Sequence, residues 1–221
     1  MNRTIIADAL RDLQNTSLAP PVGVDPIDAD ALEAEATEKT ANLLTEAVEL
    51  QRQRREREAI ERFLTAYDME LPPVANAELH LLAGNGFARL SEFEQAEGQY
   101  RQALAATKEA GDPKGQANAL AALAAVYESR GDLAKAKDYL DQALAIIDQA
   151  LAINDEIGAI LVKAQTLVDL GRVAEKRDDG KKAVALLEEA VALYEAAGIG
   201  EEAARRARKA LAQLKADTTE D

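Results

Sequence analysis

The chain contains no cysteine and no tryptophan, and a single histidine, His80. Without cysteine there are no disulfides, thiolate metal sites or cysteine nucleophiles. One histidine excludes a multi-histidine metal centre. Aromatic residues make up 4% of the 221 residues, too few for a core built on rings. No apolar run approaches the roughly 20 residues that span a membrane. The opening stretch MNRTIIADALRDLQ is broken by charge, unlike a secretory signal, so a cytoplasmic location is expected. No segment alternates apolar and polar residues as a half-buried strand does. The sequence holds no H-E-x-x-H, P-loop or G-x-S-x-G motif, and each of these is a signature of metal, phosphate or acyl chemistry. Neither a cofactor nor a catalytic centre is expected, and the chain reads as a non-enzyme.

What is abundant is alanine, leucine and charge. Hydrophobic residues reach 48% and charged residues 30%, a balance that suits close-packed amphipathic helices. The net charge is -14. An acidic surface repels phosphate backbones, so no nucleic-acid partner is expected. It favours solubility and basic partners instead.

Residues 117–144 read ANALAALAAVYESRGDLAKAKDYLDQAL. One helical stripe carries Leu120, Leu123, Ala124 and Tyr127, and a second carries Leu133, Ala136, Leu140 and Ala143. Between them, Gly131 suits a left-handed helix end and Asp132 suits the next N-cap. The second stripe recurs. Ala59, Ala96, Ala136 and Ala183 are each followed four residues later by Phe63, Tyr100, Leu140 and Leu187, and seven residues later by Ala66, Ala103, Ala143 and Ala190. In the first helices the pairs Ala83-Gly84, Leu123-Ala124 and Leu170-Gly171 share one register. The pattern resembles the tetratricopeptide repeat (TPR), W-x2-L-G-x2-Y followed by A-x3-F. It departs from the family at the Trp position, held here by Leu43, His80, Leu120 and Leu167, and at Ala174, where the family has an aromatic residue.

The resemblance implies an all-α fold, a TPR α-solenoid in which about four helical hairpins wind into a right-handed superhelix closed by a C-terminal capping helix. The units fall near 40–73, 74–113, 114–158 and 159–199, within a repeat domain of 30–199, with the cap at 200–216 and a disordered tail at 217–221. Ahead of them, residues 1–29 comprise a short helix bearing Ile6, Leu10 and Leu13 and a linker with Pro20, Pro21 and Pro26. Prolines there forbid helix interior. The run RQRRER at 52–57 reads as a solvated junction, or as a basic patch for an acidic ligand.

The intervals between the four marker alanines are 37, 40 and 47 residues. The longest has a visible cause: residues 141–147 read DQALAII and residues 148–154 read DQALAIN. A heptad is duplicated in tandem, and seven residues are nearly two helical turns. The duplication predicts a second helix running from about 132 to 157 and ended by Gly158, with its extra turns projecting. The face of Leu144, Ile147, Leu151 and Ala152 then needs cover from the chain itself or from a partner. Ile147, Leu151 and Ala152 are therefore candidates for a second contact surface.

In the TPR family the first helix of each repeat lines a concave groove that binds peptides. That implies groove positions at Leu44, Val48, Gln51 and Arg52; at Glu78, Leu81, Leu82, Asn85 and Arg89; at Asn118, Ala121, Ala122, Ala125 and Glu128; and at Gln165, Val168, Asp169, Arg172 and Lys176. Of the Lys/Asn set with which some members clamp a terminal carboxylate, only Asn85 matches, so that ligand is disfavoured. An apolar floor with an Asn/Gln rim suits an apolar or amphipathic peptide. The expected function is a protein-binding scaffold or assembly factor. Three alternatives stay open. The apolar floor packs against the chain itself; the helix at 4–14 occupies the groove, in cis or in a neighbour; or the chain is a structural subunit that self-associates through 132–157 and its N-terminal segment. His80 and the Gly84-Asn85-Gly86 run are expected to serve helix packing, with Asn85 facing the groove.

Overall fold

The computed structural model describes residues 38–67, 71–153, 157–198 and 201–217. Among these residues the secondary structure is nine α-helices: α1 Glu38–Arg52, α2 Glu56–Ala66, α3 Pro73–Arg89, α4 Phe93–Ala110, α5 Pro113–Ser129, α6 Leu133–Ile153, α7 Ile157–Glu175, α8 Gly180–Ala197 and α9 Glu201–Asp217. The short N-terminal helix and proline linker expected at 1–29 lie outside the described residues. Of the tail expected at 217–221, Asp217 is the last residue of α9 and residues 218–221 lie outside the described residues.

The chain divides into two compact units, with the boundary between Ala122 and Leu123 inside α5. In the first, α1 packs on α2, α2 on α3 and α3 on α4. Its core joins Leu44, Phe63, Leu79 and Leu82 to Ala47, Ala59, Ala66 and Ala83. The alanines have a mechanical role, since without large side chains the helix axes close up and their larger neighbours interdigitate. Two glycines of α3 carry this further. A Cβ on Gly84 would stand 2.5 Å from the ring of Tyr100 on α4, and one on Gly86 would stand 2.5 Å from Ile60 on α2. The Gly84-Asn85-Gly86 run thus lets α3 approach both of its neighbours.

In the second unit α6 packs on α7, α7 on α8 and α8 on α9. Ala164 and Tyr194 meet Ala204 and Ala207 of α9, while Leu214 of α9 closes over Ala174, Ala183 and Leu187. Ala203 and Leu211 pack at the edges of these clusters, and the charged residues of α9 from Glu201 to Lys215 are exposed.

The turn that ends each first helix repeats in detail. Arg54, Ser91, Gly131 and Asp178 all have positive φ, between 59° and 81°. At each turn the N–H of this residue donates to the carbonyl three residues back: Gln51, Ala88, Glu128 and Glu175. The next N–H donates five residues back, to Leu50, Phe87, Tyr127 and Ala174. This is the Schellman arrangement, which satisfies carbonyls left over at a helix end. These positions share the register of the marker alanines, so the backbone phases the four hairpins as the sequence does. Only Gly131 is a glycine; the other three hold a left-handed conformation that L side chains disfavour.

The duplicated heptad is accommodated differently from the expectation. The second helix α6 ends at Ile153, and Gly158 is the second residue of α7 rather than the end of α6. α6 has 21 residues against 18 in α4 and in α8, and α7 has 19 against 17 in α3 and in α5. Of the seven inserted residues, α6 thus holds three and α7 two within their described bounds. An inserted heptad restores the register only after two turns.

Candidate functional site

In the first unit the expected apolar floor is largely core. Leu44 is fully buried and Leu82 is 6% exposed, both within the cluster around Phe63. Val48 and Leu81 are buried as well, and so are Asn118, Ala121 and Ala122. Of the alternatives open from the sequence, the burial of Leu44 and Leu82 supports the one in which the floor packs against the chain itself. The close approach permitted by Ala47, Ala83 and Gly84 places both leucines inside.

Asn85 is also committed to the fold. The Tyr100 hydroxyl donates to Asn85 Oδ1 at 2.8 Å, and both residues are buried. Burial pushes the Tyr100 hydroxyl well above its ordinary value, so it stays a donor. His80 is buried, with Nδ1 2.8 Å from Gln99 Oε1 and its ring 4.9 Å from that of Tyr67, in keeping with the packing role expected of it.

The polar candidates of this unit join a knot that sequence spacing does not reveal. Gln51 Nε2 donates to Glu56 Oε1 at 3.0 Å, and Arg89 pairs with the same oxygen. Glu56 lies in the first turn of α2, where a carboxylate complements the helix dipole. The arginine run at 52–57 is mostly spent on internal pairs: Arg55 with Glu58, Arg57 with Glu92 and Arg52 with Glu49. Arg52 itself remains exposed.

In the second unit the first-helix faces bring four candidates together. Arg172 of α7 holds Glu128 of α5 in a fork, with Nε 2.8 Å from Oε1 and Nη2 2.7 Å from Oε2. Lys176 Nζ lies 2.7 Å from Glu128 Oε1. Asp169 sits beneath, with Oδ1 3.0 Å from Arg172 Nη2. That guanidinium is aimed at Glu128, and neither oxygen of Asp169 meets a donor in hydrogen-bond geometry. Burial of Asp169 pushes its carboxyl up to about 6, against the pull of Arg172 and Gln165. For Glu128 burial works in the same direction, but hydrogen bonds from Arg172 and Lys176 prevail and hold it below its ordinary value. Gln165 accepts a bond from the Tyr194 hydroxyl at 3.2 Å. Ala125 and Val168 stay half-buried on this face.

On α6 the second contact surface is reduced. Ile147 is fully buried: the chain itself supplies the cover that its apolar side chain needs. Leu151 is half-buried and Ala152 exposed. Lys163 of α7 reaches Asp148 of α6 at 2.9 Å and also pairs with Glu189 of α8.

No helix among the described residues is long and apolar enough to cross a membrane. Among those residues no group of three or more His, Asp or Glu side chains is placed to hold a metal.

Two tetratricopeptide-repeat family patterns match the chain, one over residues 75–149 and one over residues 164–197. No curated protein sequence matches it significantly. Among solved structures it is similar to the crystal structure of BtubC (BKLC) from P. vanneervenii, with a TM-score of 0.58 and 17% identity, over 98% of this chain and 89% of that one. At that identity the likeness is one of fold.

Proposed function

Because the chain belongs to the tetratricopeptide-repeat family, we propose that it is a non-catalytic module that holds a segment of another protein against the faces of its first helices. Four hairpin repeats form the module, and α9 closes it. The observation that carries this reading is the mixed character of the α5 and α7 face in the second unit. Ala125 and Val168 are half-buried there, and Arg172 and Lys176 flank them with side chains 25% and 49% exposed. An apolar strip with a cationic margin suits an amphipathic segment that carries acidic residues. In the first unit Leu44 and Leu82 belong to the core, so Arg52 and Arg89 are the more accessible candidates on its first helices. The contact is accordingly more polar than an apolar floor would make it.

A photoreactive amino acid placed at Ala125, and in a second variant at Ala145 on the exposed side of α6, tests the choice of face. Crosslinks to a defined partner are expected from position 125. A partner captured from position 145 and never from 125 would move the binding surface off the first helices.

A further inference from the structure

Asp169 is an anomaly in its own register. Counting by the repeat intervals, its counterparts are Leu82 of α3 and Ala122 of α5, and both are buried apolar residues. Asp169 is as buried as they are, yet it carries a carboxylate whose two oxygens lack donors. A buried polar group without hydrogen bonds costs stability, and a buried charge costs more. The cation beside it offsets only part of that cost: Arg172 Nη2 lies 3.0 Å from Asp169 Oδ1, but its hydrogen bonds go to Glu128.

The surroundings define what a proton would do there. From α5, Glu128 faces Asp169 as a like charge, and on α7 Arg172 and Gln165 flank it. From α8, Tyr194 meets Gln165, while Asp148 of α6 and Glu189 of α8 are drawn to Lys163. The two acids Asp169 and Glu128 balance the two bases Arg172 and Lys176.

We propose that Asp169 is a proton-controlled latch of the second unit: protonation removes a buried charge that strains the fold and leaves Glu128, Arg172 and Lys176 with one positive charge in excess on the α5 and α7 face. The proton comes from solvent and adds to a carboxylate oxygen; no other bond forms or breaks. Two consequences follow from the same event. The second unit tightens on mild acidification, and its face becomes a better seat for an acidic group. The second consequence rests on the proposed binding face; the first concerns the chain alone and is tested without a partner.

A carboxyl raised by burial penalises the folded state when ionised. The penalty is complete above its folded value, near 6, and disappears as pH falls toward the ordinary aspartate value of about 4. The test compares thermal unfolding of the full chain with that of Asp169→Asn at pH 7.5 and pH 5.0, together with a titration of the Asp169 carboxyl by 13C NMR in the unmodified chain. At pH 7.5 the Asn variant is expected to unfold about 5 °C higher, a typical shift for a change of this kind. At pH 5.0 the gap narrows to about half, since the unfolded chain is still ionised there, and the carboxyl titrates near 6. An equal gap at both pH values, or an Asp169 carboxyl titrating near 4, would overturn the latch. Should the variant fail to fold, the NMR midpoint decides the matter alone.

Discussion

The Tyr100 hydroxyl donates to Asn85 Oδ1 across 2.8 Å, and the Tyr100 ring occupies the space that a Cβ on Gly84 would need. A residue of α4 thus reads two consecutive residues of α3, one by shape and one by hydrogen bonding. Tyr100→Phe keeps the ring but leaves Asn85 without its donor. It is expected to destabilise the chain by about 1–2 kcal/mol in urea unfolding. Gly84→Ala is expected to cost more, about 2–3 kcal/mol, because the obstacle is the body of a packed ring. An alanine variant as stable as the parent would contradict the close approach.

The left-handed turns at Ser91 and Asp178 have φ of 61° and 59°. Replacing either by glycine relieves a conformation that side chains disfavour. Each change is expected to stabilise by about 0.5–1 kcal/mol, part of the relief being offset by the greater freedom of glycine in the unfolded chain. Gly131→Ala, at the equivalent turn with φ 81°, is expected to cost about 1 kcal/mol. Denaturation midpoints of the three variants, measured side by side, check both signs.

Glu128 supplies the acid limb of the stability profile. Its carboxyl is held below its ordinary value by Arg172 and Lys176, although burial opposes this. The stabilisation it contributes is complete above pH of about 4.5 and is lost as pH falls through the depressed value. Glu128→Gln is expected to weaken the chain by about 1–3 kcal/mol at neutral pH, discounted from the fully buried case because Arg172 and Lys176 are partly exposed. It should also flatten the loss of stability below pH of about 4. Unfolding measured from pH 3 to pH 7.5 shows whether the acid limb belongs to this residue.

Ile147 gauges how firmly the lengthened hairpin is built into the second unit. It is fully buried, so Ile147→Ala is expected to cost about 2–4 kcal/mol. Removing residues 148–154 deletes one copy of the heptad while keeping the register of α6. That variant is expected to stay helical and cooperative, with the loss of the Lys163–Asp148 pair as a minor effect. Loss of a cooperative transition would show that the added turns are required for folding.

Much of the fold was legible in the residues. The A-x3-large-x2-A spacing located α2, α4, α6 and α8, and the Gly84-Asn85-Gly86 run marked where α3 approaches its neighbours. Both signals survive because helical periodicity and close packing are local constraints that act on residue size. The turns were legible only at Gly131: Arg54, Ser91 and Asp178 adopt the same conformation without the glycine that would announce it. The site was harder to read. Register placed Leu44, Leu82 and Asn85 on groove positions, but register names a face and says nothing of what the neighbouring helix covers.

Composition and spacing by themselves determined an all-helical repeat chain, its phasing through the 37-, 40- and 47-residue intervals, and the absence of cysteine chemistry. Tertiary structure alone decided which face residues are core, how the duplicated heptad is divided between α6 and α7, and that Arg172 is spent on Glu128 while Asp169 lies buried beside it. The reason is physical. Helix propensity and amphipathic period act over a few residues, whereas burial and ion pairing join side chains such as Glu128 and Arg172, 44 positions apart in sequence, which only packing brings together.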